Sequence, residues 1–184
     1  DYVLTHTPGS TVSNLSSTKA LRDITEQRGL TYAASAVGEV NVVEKMKEIN
    51  AVIGGEGNGG IIYPELHYGR DSLVGIALFL SHLAHKKCKV TELRDHYPKY
   101  VISKNKIELN PSIDVDQLLL QMTLNYSHLE IDTTDGLKIY FENEWVHLRK
   151  SNTEPIIRIY SEASDEEAAN KLANRIISEI KALI

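Results

Sequence analysis

Two short segments of the chain carry side chains that could bind a ligand and that packing alone does not explain. The first, residues 54–60, reads G-G-E-G-N-G-G and follows a short buried strand predicted at 51–53. Its glycines let a ligand approach the backbone around Gly57, and they flank an acceptor, Glu56, and an amide, Asn58, which both donates and accepts. This pair suits the vicinal hydroxyls of a sugar. A tight surface turn that needs its glycines only for positive φ angles accounts for the pattern equally well.

The same glycines formally match the dinucleotide-binding pattern G-x-G-x-x-G through Gly55, Gly57 and Gly60. In that motif the third glycine opens a helix whose N-terminus receives the pyrophosphate. Here residues 61–64 are I-I-Y-P, which disfavours a helix, and the carboxylate inside the segment would repel a pyrophosphate. A nicotinamide-binding domain is therefore an alternative for which we expect no stabilisation by NAD.

The second segment, residues 149–155, reads R-K-S-N-T-E-P, with Arg158 three residues further along a predicted strand. Hydroxyl, amide and backbone donors are concentrated at Ser151, Asn152 and Thr153, and the guanidinium of Arg149 matches phosphate oxygens bidentately. Each hydrogen bond to a charged phosphate contributes about 1.5–3 kcal/mol, so four or five donors could hold a phosphomonoester without a metal. The alternative is a polar hairpin turn with an arginine at its rim. A hairpin seldom needs seven polar or special residues, which favours the phosphate site.

Other kinds of chemistry find less support in the sequence. The seven histidines lack the spacing of metal ligands, and the aspartate pairs 114/116 and 132/135 lie where helix caps or turns are predicted. No G-x-S-x-G elbow is present, and Cys88 is interpreted as a small core residue. We therefore predict neither a metal site nor a catalytic nucleophile in this chain.

The composition argues against several further classes of function. Twenty basic residues stand against 25 acidic ones, a formal net charge of −5, so no cation excess is available for nucleic acid. The longest apolar run, 73–80, is interrupted by Gly75 and is far shorter than the roughly 20 residues of a membrane span. With a single cysteine the chain forms no internal disulfide, which favours a reducing, cytoplasmic location.

The elements that would position the first segment alternate between strand and helix. Short strands are predicted at 11–12, 30–37 and 51–53, and apolar residues three apart from Val40 to Ile49 predict a helix. Ser16 and Ser17 are candidate N-caps of an earlier helix, and Asp71 is the candidate N-cap of a longer one after the glycine segment. This alternation predicts a layered α/β domain, which we place at 1–100.

The elements around the second segment predict a different architecture. A lysine-rich stretch, 85–106, is interpreted as a solvated linker in preference to a polyanion-binding patch. Beyond it, a helix near 115–122 and four strand-like segments joined by turn residues predict an α+β domain, 101–184, with a mostly antiparallel sheet and helices on one face. Ser164 and Glu167 match an S-x-x-E capping box that would start a closing amphipathic helix.

Taken together, these segments and their order resemble the C-terminal half of the α-D-phosphohexomutases, the family of phosphoglucomutases, phosphomannomutases and phosphoglucosamine mutases. The resemblance covers nearly the whole chain. V-G-E at 37–39, G-E-G-N-G at 55–59 and G-R-D at 69–71 are similar to the third domain with its sugar-binding loop. D-G-L-K at 135–138, W-V at 145–146 and the run 149–163 are similar to the fourth domain and its phosphate-binding loop.

This resemblance implies an activity for the complete enzyme. A phosphoserine and Mg²⁺ would interconvert the 1- and 6-phosphates of a hexose or hexosamine through a bisphosphate. It implies sugar binding by Glu56, Gly57 and Asn58 in domain three, which would be truncated at its N-terminus. It implies phosphate binding in domain four by Arg149, Ser151, Asn152, Thr153 and Arg158. Domain four would close over the ligand about a hinge at 100–105. The G-E-G-N-G form of the loop favours a phosphoglucosamine mutase-like enzyme and leaves glucose and mannose phosphates open.

The chain also departs from the family pattern. The common sugar loop is G-E-x-S-G-H, whereas Asn58 stands at the serine position and Gly60 at the histidine position, and Lys150 replaces a small residue or proline. Neither the serine loop T-x-S-H-N-P nor the magnesium loop D-G-D-x-D-R occurs. Because the chain also opens at Asp1 without methionine, we expect a fragment that is inactive without domains one and two of the same polypeptide. The alternative is a non-catalytic regulatory module that binds a sugar phosphate through the same loops.

Overall fold

The chain divides between residues 99 and 100 into two units, each with its own five-stranded sheet. The structure, a computed structural model, describes residues 1–110, 113–151 and 154–184. The two units are an α/β unit and an antiparallel α+β unit, which confirms the fold class predicted from the sequence.

Unit 1 (1–99) is built on a mixed sheet. Its strand order is β2-β1-β3-β4-β5, in which β1 runs parallel to β2 and β3, and β4 and β5 are antiparallel additions. The elements are α1 (Tyr2–His6), β1 (Thr11–Asn14), α2 (Ala20–Gln27), β2 (Tyr32–Ser35), α3 (Glu39–Glu48), β3 (Ile53–Glu56), β4 (Gly60–Tyr63), β5 (His67–Arg70), α4 (Ser72–Lys86) and α5 (Val90–Asp95).

The sheet of unit 1 is packed closely by α3. Val42 and Met46 on this helix are buried against Val12 of β1 and Ile62 of β4. A Cβ atom at Gly54 would clash with the Met46 sulfur, so glycine is what lets the helix rest directly on β3. The packing fixes the carboxyl ends of the parallel strands β1 and β3 side by side, the edge at which ligands bind in α/β sheets.

The glycine segment differs from its predicted form. The strand predicted at 51–53 is β3 (Ile53–Glu56), so Gly54, Gly55 and Glu56 belong to a strand, and only 57–59 form a turn. A Cβ atom at Gly55 would clash with the carbonyl oxygen of Gly60 across the hairpin. The prediction was wrong because glycine is disfavoured in strands, and close backbone approach is the exception. Gly60 begins β4, so no helix follows it as a dinucleotide motif would require.

Two predicted helix starts in unit 1 have different outcomes. Asp71 caps α4, because its Oδ1 accepts hydrogen bonds from the backbone N–H groups of Leu73 and Val74. Ser16 and Ser17 do not cap α2, whose N-cap is Lys19 without a side-chain hydrogen bond. The hydroxyl of Ser17 is used near the glycine segment instead.

Unit 2 (100–184) is a sheet covered by helices. The strand order is β6-β10-β9-β8-β7, and every pairing is antiparallel. The elements are β6 (Val101–Glu108), α6 (Val115–Asn125), β7 (Glu130–Asp132), β8 (Leu137–Tyr140), β9 (Trp145–Lys150), β10 (Ile156–Ala163) and α7 (Glu166–Leu183).

The core of unit 2 lies on one face of its sheet. Alternate residues of β9 and β10, including Leu148, Ile157 and Ile159, pack with Met122 of α6 and Ile176 of α7. Because successive strand residues point to opposite faces, the residues between them, Arg149 and Arg158 among them, lie on the other face. The hydrophobic pattern of the strands therefore determines the face on which the predicted phosphate ligands lie.

Three further predictions are corrected by the structure. The predicted hinge at 100–105 falls largely within β6, which pairs with β10 along its whole length, so these residues belong to a paired strand and not to a linker. The predicted linker upstream contains α5. The last helix begins one residue later than the capping box implied, because Asp165 and not Ser164 accepts from the Ala168 N–H at 2.9 Å.

Candidate functional site

Glu56, the carboxylate of the glycine segment, lies at the end of β3 and is held by three neighbouring groups. Its Oε1 accepts hydrogen bonds from Asn14 Nδ2 at 2.9 Å and from the Gly38 N–H at 3.2 Å. Its Oε2 lies 3.3 Å from Arg70 Nη1, and its side chain is only 6% exposed. A carboxylate has about four acceptor positions. These contacts orient Glu56 and leave capacity on Oε2 for a ligand hydroxyl.

Asn14 and Ser17 form the support behind Glu56. Asn14 Oδ1 accepts from the Ser16 N–H at 3.0 Å and from the Ser17 hydroxyl at 2.9 Å. These two donors identify which end of the amide is oxygen and turn Nδ2 toward Glu56. Ser17 Oγ in turn accepts the Gly57 N–H at 2.9 Å. The turn is thus tied to the carboxyl end of β1, and the N–H of Gly57 is engaged within the protein.

Asn58 stabilises the turn and keeps donors for a ligand. Its Oδ1 accepts from the Gly60 N–H at 3.0 Å, and the side chain is exposed. Among the residues that the structure describes, its Nδ2 has no hydrogen-bond partner. The amide therefore keeps donors two residues along the chain from Glu56, and the pairing of the two for vicinal hydroxyls stays a prediction.

Arg70, the last residue of β5, connects Glu56 to the start of α3. Its backbone N–H and its Nε donate to Glu39 Oε1 at 3.0 Å and Oε2 at 2.8 Å. The backbone N–H of Arg70, followed by its guanidinium, holds the pKa of Glu39 below its ordinary value. Glu39 therefore stays ionised and anchors Arg70 beside Glu56.

Sequence reasoning missed four residues of this arrangement: Asn14, Ser17, Gly38 and Arg70. Asn14 could have been found, because it ends a strand parallel and adjacent to the one that ends at Glu56, with Ser13 opposite Gly55. Arg70 ends β5 and reaches Glu56 on β3 across the one intervening strand, β4. No local pattern in the sequence indicates that contact.

The predicted phosphate ligands of unit 2 lie side by side. Arg149 on β9 is the register partner of Arg158 on β10, and Lys106 on β6 is the partner of Arg158 on its other side. Directly opposed strand residues have Cβ atoms about 4.5–5.5 Å apart, and like charges placed so destabilise a sheet. A row of three cations on an open sheet face is therefore a place where an anion would bind favourably.

Nearby carboxylates balance this row only loosely. Arg149 Nη1 lies 3.7 Å from Asp135 Oδ2, and Arg158 Nη2 lies 3.9 Å from Glu154 Oε2. Both distances exceed that of a hydrogen bond between charged groups, and each guanidinium carries five N–H donors. The two arginines thus keep strong donors for a ligand.

The segment that follows β9 is described in part. The Ser151 N–H donates to the Ile156 carbonyl at 3.1 Å, which closes the base of the loop. Asn152 and Thr153 lie outside the described residues. Lys150, whose role the sequence left open, donates to Asp116 Oδ2 at 2.8 Å, so its ammonium is paired with the first turn of α6.

His147 holds the turn that carries Asp135. Its ring is 2% exposed, and Nε2 lies 2.6 Å from the Asp135 carbonyl oxygen. Burial lowers the pKa of His147 to about 4, so the ring is neutral at pH 7 and Nε2–H donates to the carbonyl. At the same turn Gly136 adopts φ +79°. The buried histidine thereby fixes Asp135 beside Arg149, and the sequence contained no signal for it.

No metal centre is formed by the residues described. Within 1–110, 113–151 and 154–184, no three His, Cys, Asp or Glu side chains converge as ligands. The residues described therefore do not form a site that fits a magnesium ion. None of the helices in the same ranges combines the length and apolar character needed to cross a bilayer.

Comparison with known proteins places both halves of the chain in one family. The model described as "Phosphoglucomutase/phosphomannomutase, alpha/beta/alpha domain III" matches residues 1–100. The model of the phosphoglucomutase/phosphomannomutase C-terminal domain matches residues 86–179.

Curated relatives carry related names. A phosphoglucosamine/phosphogalactosamine mutase of Sulfurisphaera tokodaii is 36% identical over 90% of this chain and 37% of its own length. A phosphoglucomutase/phosphomannomutase of Thermococcus kodakarensis is 37% identical over 89% of this chain and 36% of its own. The chain thus spans little more than a third of the relatives it matches.

Solved structures share the fold. A phosphoglucomutase/phosphomannomutase family protein of Burkholderia thailandensis superposes with a TM-score of 0.78 at 22% identity, covering 98% of this chain and 39% of that one. An Aspergillus fumigatus N-acetylphosphoglucosamine mutase, solved with GlcNAc-6P and magnesium, superposes with a TM-score of 0.64 at 16% identity, covering 91% and 37%. At these identities the likeness concerns the fold alone.

Proposed function

The chain belongs to the phosphoglucomutase/phosphomannomutase family, and on that premise we propose that it is the half of a phosphohexomutase that holds the sugar phosphate. Residues 1–100 bind the sugar and residues 101–184 bind the phosphate. The observation that carries the proposal is the cross-strand pair Arg149 and Arg158, which a phosphate dianion would neutralise. Ser151, which directly follows β9, is a further proposed ligand, and Asn152 and Thr153 are proposed from the sequence alone.

The proposed sugar site binds neighbouring ring hydroxyls through one carboxylate acceptor and one amide donor. Glu56, oriented by Asn14 and Gly38, accepts from one ring hydroxyl, and Asn58 donates to its neighbour. Contacts midway along the ring can hold the sugar in either orientation. A mutase that interconverts the 1- and 6-phosphates of a sugar must bind the sugar both ways. The phosphate site grips the end that does not react, and positioning of this kind is most of what phosphoryl transfer requires from a protein.

The complete activity belongs to a longer polypeptide. The phosphoserine and Mg²⁺ of the reaction lie in domains that precede this chain, which accordingly has no mutase activity alone. Two observations support this view. The chain covers only 36–37% of the length of the two curated relatives. On α4 the side chains of Leu73, Ile76 and Leu80 are 75%, 54% and 56% exposed. Apolar groups clustered on one helix are typical of a surface that another part of the protein covers.

A hexosamine phosphate is the substrate we favour. The G-E-G-N-G form of the loop supports it, as does the relative named for phosphoglucosamine and phosphogalactosamine. Glucose and mannose phosphates follow, because the relative of comparable identity is named for them. Assays with glucosamine, glucose and mannose phosphates on the complete polypeptide rank these candidates by kcat/KM.

The test is Arg149→Ala in this chain joined to its N-terminal domains. The change removes up to two hydrogen bonds to phosphate, each worth about 1.5–3 kcal/mol, so kcat/KM should fall roughly 100- to 10,000-fold. Arg175→Ala, which removes the same charge from the exposed surface of α7, should leave kcat/KM within about 2-fold, since surface changes away from a site have small effects. Unchanged kcat/KM in Arg149→Ala would refute the phosphate site. Phosphate binding without any mutase activity in the joined polypeptide would instead support a regulatory module.

A further inference from the structure

Gly60 does not need to be a glycine for its own φ angle, so another contact must account for the missing side chain. Positive φ angles occur at Gly29, Gly38, Gly59 and Gly136, and Gly60 is not among the residues that adopt one. A Cβ atom at Gly60 would lie 2.7 Å from Arg70 Cδ, 3.2 Å from Arg70 Cγ and 3.1 Å from Asn58 Oδ1. The space where a side chain at position 60 would begin is therefore filled mainly by the stem of Arg70.

The guanidinium of Arg70 is anchored and still has donors to spare. Nε is bound by Glu39 Oε2 at 2.8 Å, and Nη1 is 3.3 Å from Glu56 Oε2. Among the described residues Nη2 has no partner, and the side chain is 46% exposed. Of its five N–H donors, three are thus available to a ligand at the Glu56 carboxylate.

The mode of anchoring makes this guanidinium a rigid group. Arg70 ends β5 in register with Ile62 of β4, and the next residue, Asp71, caps α4. Glu39, which holds Nε, is the first residue of α3. A donor fixed at both ends of its side chain loses little conformational entropy when it binds, which favours a direct role in recognition.

From these observations we propose that Arg70 contacts the sugar and determines specificity, in the place of the histidine that the common sugar loop carries at position 60. Arg70 donates through Nη2 to a ring hydroxyl next to the one that Glu56 accepts. This inference rests on the proposed function, since it names a residue of the same sugar site. It also gives the glycine at position 60 of the loop a physical cause, because the stem of Arg70 leaves no room for a side chain there.

The test must separate a sugar contact from mere support of Glu56. The complete polypeptide, this chain joined to its N-terminal domains, is assayed with a hexose phosphate and its 2-, 3- and 4-deoxy analogues. For the wild-type enzyme, removing the hydroxyl that Arg70 binds should lower kcat/KM about 10- to 150-fold, as loss of a charged hydrogen bond does. In Arg70→Ala, removing that hydroxyl should cause no further fall in kcat/KM. Removing either of the other two should lower kcat/KM as much as it does in the wild type. Full additivity with all three analogues would overturn the contact and leave Arg70 as support only.

A second pair of variants tests the exchange between positions 60 and 70. Gly60→His alone should lower kcat/KM by at least about 10-fold, because its Cβ meets Arg70, and the double variant Gly60→His with Arg70→Ala should recover activity relative to either single variant. An imidazole titrates near pH 6.5 whereas a guanidinium does not. Every variant shares the pH dependence of the substrate phosphate, whose second pKa is about 6. The double variant should therefore acquire an additional pH dependence of KM that the wild type and Arg70→Ala do not show. No recovery and an unchanged pH profile would count against the exchange.

Failure of this inference differs from failure of the proposed function. An enzyme that is active in the wild type and inactive in Arg149→Ala, with additive deoxy effects in Arg70→Ala, keeps the function and loses only the Arg70 contact. A joined polypeptide without mutase activity refutes both.

Discussion

Protonation of the buried His147 is expected to weaken unit 2 at mildly acidic pH. Burial lowers the pKa of this ring from 6.5 to about 4, and the nearby charges of Lys138 and Arg149 act in the same direction. The unfolded chain, whose histidine titrates near 6.5, takes up the proton first as the pH falls. The contribution of His147 to stability is thus fully present above pH 6.5 and is lost as the pH falls toward 4.

The magnitude follows from the two pKa values. A difference of one pKa unit corresponds to about 1.4 kcal/mol, so the full loss is about 3 kcal/mol, of which about 2 kcal/mol is already lost near pH 5. A domain of this size is typically stable by about 5–15 kcal/mol, so the effect is large enough to measure.

The chain offers its own probe for this measurement. Trp145, the single tryptophan, is fully buried in β9 two residues before His147. Its fluorescence follows the unfolding of unit 2 and not of unit 1. Urea titrations from about pH 7.5 to about pH 5 should give a free energy of unfolding that falls by about 2 kcal/mol. The carboxylates with lowered pKa values, such as Asp165, contribute mainly below this range.

Two variants separate His147 from other titrating groups. His147→Gln keeps an N–H donor for the Asp135 carbonyl and cannot take up a proton, so its stability should be nearly independent of pH over this range. His128→Gln, which alters an exposed ring of the same unit, should keep the wild-type dependence. If wild type and His147→Gln lose stability in parallel, the buried neutral histidine is the wrong explanation.

Two further predictions concern the backbone and the sugar site. Gly136→Ala should destabilise unit 2 by about 2–4 kcal/mol in the same urea titrations, because the residue has φ +79° and its Cβ would clash with the Leu148 carbonyl. The matched variant Gly29→Ala, with φ +68° and no atom within 4 Å of its Cβ, should lose only about 1 kcal/mol by thermal unfolding of unit 1, and equal losses would contradict the clash. Asn14→Ala should raise KM of the complete enzyme about 10-fold by releasing Glu56 Oε1. The control Asn174→Ala, on the exposed surface of α7, should leave KM unchanged. An unchanged KM in Asn14→Ala would show that the Glu56 carboxylate needs no support from β1.

Local patterns in the sequence were sufficient for most elements of the fold. The cap at Asp71, the spacing from Val40 to Ile49 and the alternation in β9 and β10 depend on neighbours three or four residues away at most, so they can be read along the chain. The resemblance to the phosphohexomutases rested on similarly local strings, and the family models confirm it. Predictions failed where a residue served a distant partner, as Ser17 does for Gly57 and Gly54 does for Met46.

The sequence by itself determined which residue types were available to the two sites: an acceptor and an amide among glycines, and arginines beside hydroxyl and amide donors. Only the tertiary structure decided how they are held. Pairing of β9 with β10 sets Arg149 opposite Arg158, and parallel pairing of β1 with β3 brings Asn14 to Glu56. The contact of Arg70 with Glu56 passes across the intervening strand β4, so it depends on the registers of β3 with β4 and of β4 with β5. Contacts of this kind are set by chain topology and packing, which local propensity does not encode.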